Sequence, residues 1–188
     1  MNQEFFDQVY GEGNIASKEE FMKKLEEEIK SNLAMESEYR LNLDTRNMII
    51  DKTGFDLPEE FLKKWLLKTN RDISEEQVEK EFEDFIRDLR WQLIRNKVAS
   101  DNEIKVEEQD MLKEAMEFTR RQFQQYGIFN AEDSQLESYA RQVLQKEEDY
   151  RRIADKVIDD KVINKIKEEI RTDKKKVSTE EFNKLFDK

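Results

Sequence analysis

One proline and four glycines in 188 residues leave this chain few places to turn sharply. That scarcity argues against turn-rich β folds and for long uninterrupted helices. Where breaks do occur, they are punctuated as helix ends. Ser17 with Glu20, Ser74 with Gln77 and Ser178 with Glu181 have capping-box spacing, in which the hydroxyl and the side chain three residues on each satisfy a free backbone N–H at a helix start. Gly54 and Gly127 stand where apolar stripes stop, the usual place for a C-terminal glycine. Pro58, followed by Glu59 and Glu60, has the fixed φ and missing donor suited to a first helical position, with acids on the favourable end of the helix dipole.

Between these marks the apolar residues recur with helical period. Residues 2–10 carry Phe5, Phe6 and Val9, and stop at Gly11 and Gly13, as a short helix docked onto another element would. Phe21, Leu25, Ile29 and Leu33 then recur every fourth residue, and Tyr39, Leu43 and Ile50 continue the stripe to Gly54, about ten turns of helix. Phe61, Leu62, Trp65 and Leu66 line the buried face of the next helix; Val78, Phe82, Phe85, Ile86, Leu89, Leu93 and Val98 form the most regular stripe of all and place their helix at the centre of the core. A break at residues 101–105 precedes a helix over 106–126, with Met111, Ala115, Phe118 and Gln122 on one face and Leu112, Met116 and Phe123 beside them. From Asp133 one helix, or two in line, runs to about Arg171 through Leu136, Tyr139, Val143, Tyr150, Ile153, Val157, Ile158 and Ile166, and a short last helix carries Phe182, Leu185 and Phe186. There is no strand pattern and no fixed repeat length. The expectation is an all-α fold: one elongated multi-helix domain over residues 1–188, with projecting antiparallel helical arms.

Charge and chemistry narrow the function. Charged residues make up 42% of the chain, close to a disordered composition, but 12 Phe, 5 Tyr and 2 Trp supply the apolar stripes that a disordered chain lacks. The net charge of -11 repels phosphate backbones and anionic membranes, so neither nucleic acid nor membrane is an expected partner. The local basic cluster of Arg171, Lys174, Lys175 and Lys176 reads as a solvated hinge. No cysteine is present, which suits a reducing cytosol and removes disulfides and thiolates. No run is long enough to span a membrane, the first ten residues lack a secretory signal, and the abrupt apolar start reads as a fragment of a larger protein.

Without histidine or cysteine, the common zinc ligands, the usual general base and activated nucleophile triads are missing. No glycine spacing fits a phosphate-binding loop. Glu26/Glu27, Glu147/Glu148 and Asp159/Asp160 are neighbours of the kind that 45 acidic residues generate by chance, and they read as solvated faces. The chain is therefore expected to hold no catalytic residue, no metal and no cofactor. What remains is apolar surface. Met22, Met35, Met48, Met111 and Met116 are core residues by default, but Tyr126, Ile128 and Phe129 surround a turn, where little protein is at hand to bury them.

Read in order, the features resemble the C-terminal domain of trigger factor, a ribosome-associated bacterial chaperone. Glu4-Phe5-Phe6 through Gly11 is similar to the short helix returning from that family's isomerase domain, and the long capped helix ending before Phe55-Asp56-Leu57-Pro58 to its helix with a hydrophobic-Asp-hydrophobic-Pro phrase. Trp91-Gln92-Leu93-Ile94 through Asp101-Asn102-Glu103-Ile104-Lys105-Val106 resembles its helix-to-arm transition, and Phe182-Asn183-Lys184-Leu185 its terminal Phe-Asn-x-Leu helix. The arm turn at residues 127–133 departs in composition from better-known members. The resemblance implies a SurA-like cradle of helical arms that shelters apolar segments of nascent or unfolded polypeptides. It also implies client contact at Phe118, Phe123, Leu136 and Tyr139, joined by Phe182 and Phe186; Met111, Tyr126, Ile128 and Phe129 complete the candidate set. The family's ribosome-docking and prolyl isomerase domains are missing from the sequence, so ribosome contact would come only through the absent N-terminal domain, and no isomerase activity is expected. Exposed arms could pair two copies into a homodimer. The competing expectation is a non-catalytic helical scaffold or dimerisation domain with one fixed protein partner; an enzyme ranks behind both.

Overall fold

The computed structural model describes residues 3–11, 13–70 and 73–186. Among the described residues there are eight α-helices and no strand, so the all-α expectation holds. The chain divides into two compact units, Met1–Asp51 and Lys52–Lys188.

The first unit contains α1 (Gln3–Tyr10) and α2 (Lys18–Lys52). Asn2, with which the first helix was expected to start, lies outside the described residues. Phe6 stacks on Phe21, ring centroids 4.9 Å apart; Ile15 is buried beside them, with Tyr10 and Leu25 at the edge. The α1–α2 link is tied down by Gln3, whose side-chain amide donates to the Ile15 carbonyl at 2.8 Å. At the start of α2, Glu20 N–H donates to Ser17 Oγ at 3.1 Å, while the Glu20 carboxylate accepts from Ala16 N–H at 2.9 Å: the capping pair forms, reaching one residue further back than the usual box. The α2 stripe is buried at Phe21 and, near the other end of the helix, at Ile50, but not between them. Met22, Ile29, Leu33, Met35 and Tyr39 are exposed, because α1 has eight residues, about 12 Å of helix, and can cover only the first turns of a 35-residue partner.

The second unit contains α3 (Glu59–Thr69), α4 (Glu75–Asp101), α5 (Glu108–Gln125), α6 (Asp133–Val143), α7 (Glu147–Glu169) and α8 (Thr179–Asn183). The capping boxes expected at Ser74 and Ser178 are both complete. A capping interaction that the sequence reading missed sits before α5, where Glu107 N–H donates to Asp110 at 2.9 Å.

Helix α4 changes its buried face along its length. Val78, Phe82 and Ile86 pack with Leu57, Leu62, Leu66 and Ile73, so its first half meets α3; Trp91 and Ile94 take over beyond that, and its second half meets α7. Leu93, expected in the core, is exposed. The shift from Ile86 to Trp91 is five residues, more than one turn, and it rotates the apolar stripe toward a second neighbour. On α3, Phe61 and Trp65 are 62% and 46% exposed, not buried as the periodicity suggested: Leu62 and Leu66 face α4, and the remaining large residues flank that line. Of the two readings from Asp133 onward, one helix or two, the structure has two, separated by a turn at residues 144–146.

Helix α7 ties the unit together. Trp91 donates its indole N–H to Asp159 at 2.9 Å, and Arg95 bonds both Asp155 and Asp159, at 3.1 and 3.2 Å. Lys161 pairs with Asp110 and donates to the Lys105 carbonyl, pinning the start of α5. These bonds hold the root from which the α5–α6 hairpin extends.

Candidate polypeptide-binding surface

Helices α5 and α6 form the most closely packed pair in the second unit. Residues late in α5 meet residues early in α6, as an antiparallel hairpin requires: Arg120 reaches Asp133 at 3.3 Å, and Phe123 meets Tyr139 edge to face at 5.1 Å. Small residues allow the close approach. Ala115 and Ala140 are both fully buried and share a cluster with Met111, Ile153 and Val157. Thr119, also buried, turns its hydroxyl back to the Ala115 carbonyl at 2.8 Å, so its own oxygen is not stranded in the seam.

The tip is set by one glycine. Gly127 has φ +78°, a left-handed conformation that side chains disfavour. Around it Ile128 N–H donates to the Phe123 carbonyl at 2.9 Å and Gly127 N–H to the Gln124 carbonyl at 3.0 Å, the two bonds of a Schellman ending. With α5 closed in this way, Tyr126 is 84% exposed, Phe129 73% and Ile128 49%.

The candidate residues therefore fall into distinct places. Tyr126, Ile128 and Phe129 form the uncovered tip. Phe123 and Tyr139 make an edge beside it, with Tyr139 half exposed. Phe118 is half-buried beneath the Arg152 guanidinium of α7, 4.6 Å from the ring centre; at 100° per residue it stands about 140° around α5 from Phe123, so the two do not share a face. Met111 and Leu136 are 3% and 1% exposed. As residues for direct client contact these two are corrected: they point into the seam and hold the hairpin closed, because they sit on the same helical lines as Ala115 and Ala140. Phe182 and Phe186 meet edge to face at 5.4 Å in and just after α8. The sequence reading missed the exposed Phe61 and Trp65; it also missed the Arg152 cover, for which spacing within one helix gives no signal.

The shifted carboxylates of this unit belong to an ion pair and to helix caps. Asp110 is held below the usual carboxylate range, first by the hydrogen bond from Lys161 and then by the Glu107 backbone N–H. Glu181 is lowered by its bonds from Ser178 in the capping box. The acidic neighbours behave as solvated faces or joints: Glu26 pairs with Lys30 at 2.7 Å, Glu147 with Arg151 and Asp160 with Lys156, while Asp159 serves the α4–α7 joint. Arg171 and Lys174 to Lys176 are exposed on an irregular segment. Among the described residues, no cluster of acidic side chains could hold a metal ion, and no helix is long and apolar enough to cross a membrane.

Comparison with known families adds to this geometry. A family model described as "Probable trigger factor, C-terminal domain" matches residues 37–186, thus nearly all of the second unit and the end of the first. No curated protein and no solved structure shows significant similarity to the chain.

Proposed function

Since the chain belongs to the trigger factor C-terminal domain family, a family of chaperone domains, we propose that it binds exposed hydrophobic segments of nascent or unfolded polypeptides and prevents their aggregation. The carrying observation is the uncovered aromatic surface of the α5–α6 hairpin, where Tyr126, Phe129 and Tyr139 are 84%, 73% and 51% exposed on a platform closed by Met111, Ala115, Leu136 and Ala140. Apolar side chains fixed in water gain about 25 cal/mol for each Å² that a client covers.

On this reading residues 1–188 serve one chaperone function in the cytoplasm, without catalysis, and ribosome contact belongs to the family's N-terminal domain. Pairing of two copies through the same rings competes with client binding. The test is light scattering from a chemically denatured client diluted into buffer, with and without the chain. The chain should suppress scattering, and changing Phe123, Tyr126, Ile128, Phe129 and Tyr139 together to Ser should abolish suppression while helicity by circular dichroism is kept. Full suppression by that variant sinks the assignment of the surface. Saturable binding of a single folded partner without suppression would instead favour a scaffold.

A further inference from the structure

We propose that the hairpin tip is blind to charge: it takes uncharged, apolar-rich, extended polypeptide segments whatever the charge of the client around them, through aromatic contact and side-chain amides. This rests on the chaperone reading above and adds the class of segment and the manner of its recognition.

Residues 122–131, Gln-Phe-Gln-Gln-Tyr-Gly-Ile-Phe-Asn-Ala, contain no residue charged at neutral pH, in a chain that is 42% charged and elsewhere has no uncharged run longer than five residues. The charges bounding the run are engaged within the protein. Arg121 pairs with Glu114 at 2.9 Å, Arg120 with Asp133 at 3.3 Å, and Glu132 accepts from the Ser134 hydroxyl at 3.5 Å. An extended client advances about 3.3 Å per residue, so charges three residues from the contact lie roughly a Debye length away, ~8 Å at physiological salt. Salt thus attenuates the pull of the net charge of -11 on client charges beyond that distance.

The polar groups that remain are suited to a peptide backbone. Gln122, Gln124, Gln125 and Asn130 are exposed, and each amide carries both a donor and an acceptor, the same complement as a peptide group. Such amides can satisfy the N–H and C=O groups of an extended segment without reading its side chains, while Tyr126, Ile128 and Phe129 cover its apolar ones.

The experiment uses the full chain and three fluorescently labelled peptides sharing one core of Leu, Phe, Gln and Ser, flanked by Ser, Asp or Lys, with Kd read by anisotropy in 50 and 500 mM NaCl. The three constants should agree within about threefold and change by less than about threefold with salt, since only counterion-linked contacts respond to it. Y126S/I128S/F129S should weaken all three by about tenfold or more. Q124E/Q125E should make the tip favour the Lys-flanked peptide by about tenfold at low salt, a preference that high salt removes. A tenfold preference for the Lys-flanked peptide in the unmodified chain, lost in high salt, overturns the inference. So does unchanged peptide binding by the triple tip variant, which leaves the chaperone reading standing if aggregation is still suppressed. Failure of the unmodified chain to bind any of the peptides or to suppress aggregation sinks both readings. A doubled mass in sedimentation that the tip variant loses, with no competition from peptides, would assign the tip to a second copy instead.

Discussion

Leu136→Ala should open one helix and leave the rest of the second unit intact. Leu136 is 1% exposed, and with Ala140 it is one of only two buried residues on α6. A helix of 11 residues is too short to persist alone in water, so its helicity depends on that seam. Truncating a buried leucine costs about 2–5 kcal/mol, and here Leu136 is the sole large anchor. A loss of about 3 kcal/mol raises the open population of α6 about a hundredfold. Hydrogen exchange read by mass spectrometry should therefore show residues 135–143 exchanging about a hundredfold faster, while residues 78–86 of α4, packed against α3, keep their protection. Because Tyr139 would lose its fixed position, suppression of aggregation should fall with it. Acceleration below tenfold, or equal acceleration in α4, would refute the claim that the hairpin is a separable platform held by this residue.

Two further outcomes follow from the turn and the root of the hairpin. Gly127→Ala meets no steric neighbour within 4 Å, so its cost is conformational alone, about 1 kcal/mol; a fall in Tm of about 2–4 °C is expected, and no fall would mean that the Schellman ending does not form. Asp110 has a depressed folded pKa, so its contribution is fully present above its unfolded value near 3.9 and is lost as pH falls through the folded value. Asp110→Asn should lower stability at pH 7 by about 0.2–1 kcal/mol, the range of a solvent-screened pair, and should shrink the loss between pH 7 and pH 2 seen by thermal melts; an unaltered acid profile refutes the assignment.

The helices were legible because their signals are local. Ser74 with Gln77 and Ser178 with Glu181 lie three residues apart and form the boxes their spacing implies. Which apolar residues are covered depends on neighbours distant in sequence, and there the periodicity misled. Phe61 and Trp65 share a stripe with Leu62 and Leu66, yet α4 covers only the latter pair. Met111 and Leu136 stand in the candidate client-contact set, Leu136 through the family resemblance, but the close approach of Ala115 and Ala140 draws them into the seam. The tip was readable for the opposite reason: a glycine between Tyr126 and Ile128 marks a turn, and a turn has little protein around it whatever the tertiary packing.

On the proposed chaperone function, the same turn fixes how strongly a client can be held. At about 200 Å² for an aromatic side chain, the exposed fractions of Tyr126, Phe129 and Tyr139, 84%, 73% and 51%, present roughly 400 Å² of surface, or about 10 kcal/mol if all of it were covered. A flexible client must be ordered and localised to cover it, at a cost of about 4–15 kcal/mol. The two figures nearly cancel, so one tip holds one segment weakly and releases it quickly. Firm retention then requires several apolar stretches of one client engaged at once. A folded client, having buried those stretches in its own core, loses every such contact together, and its release needs no driven step.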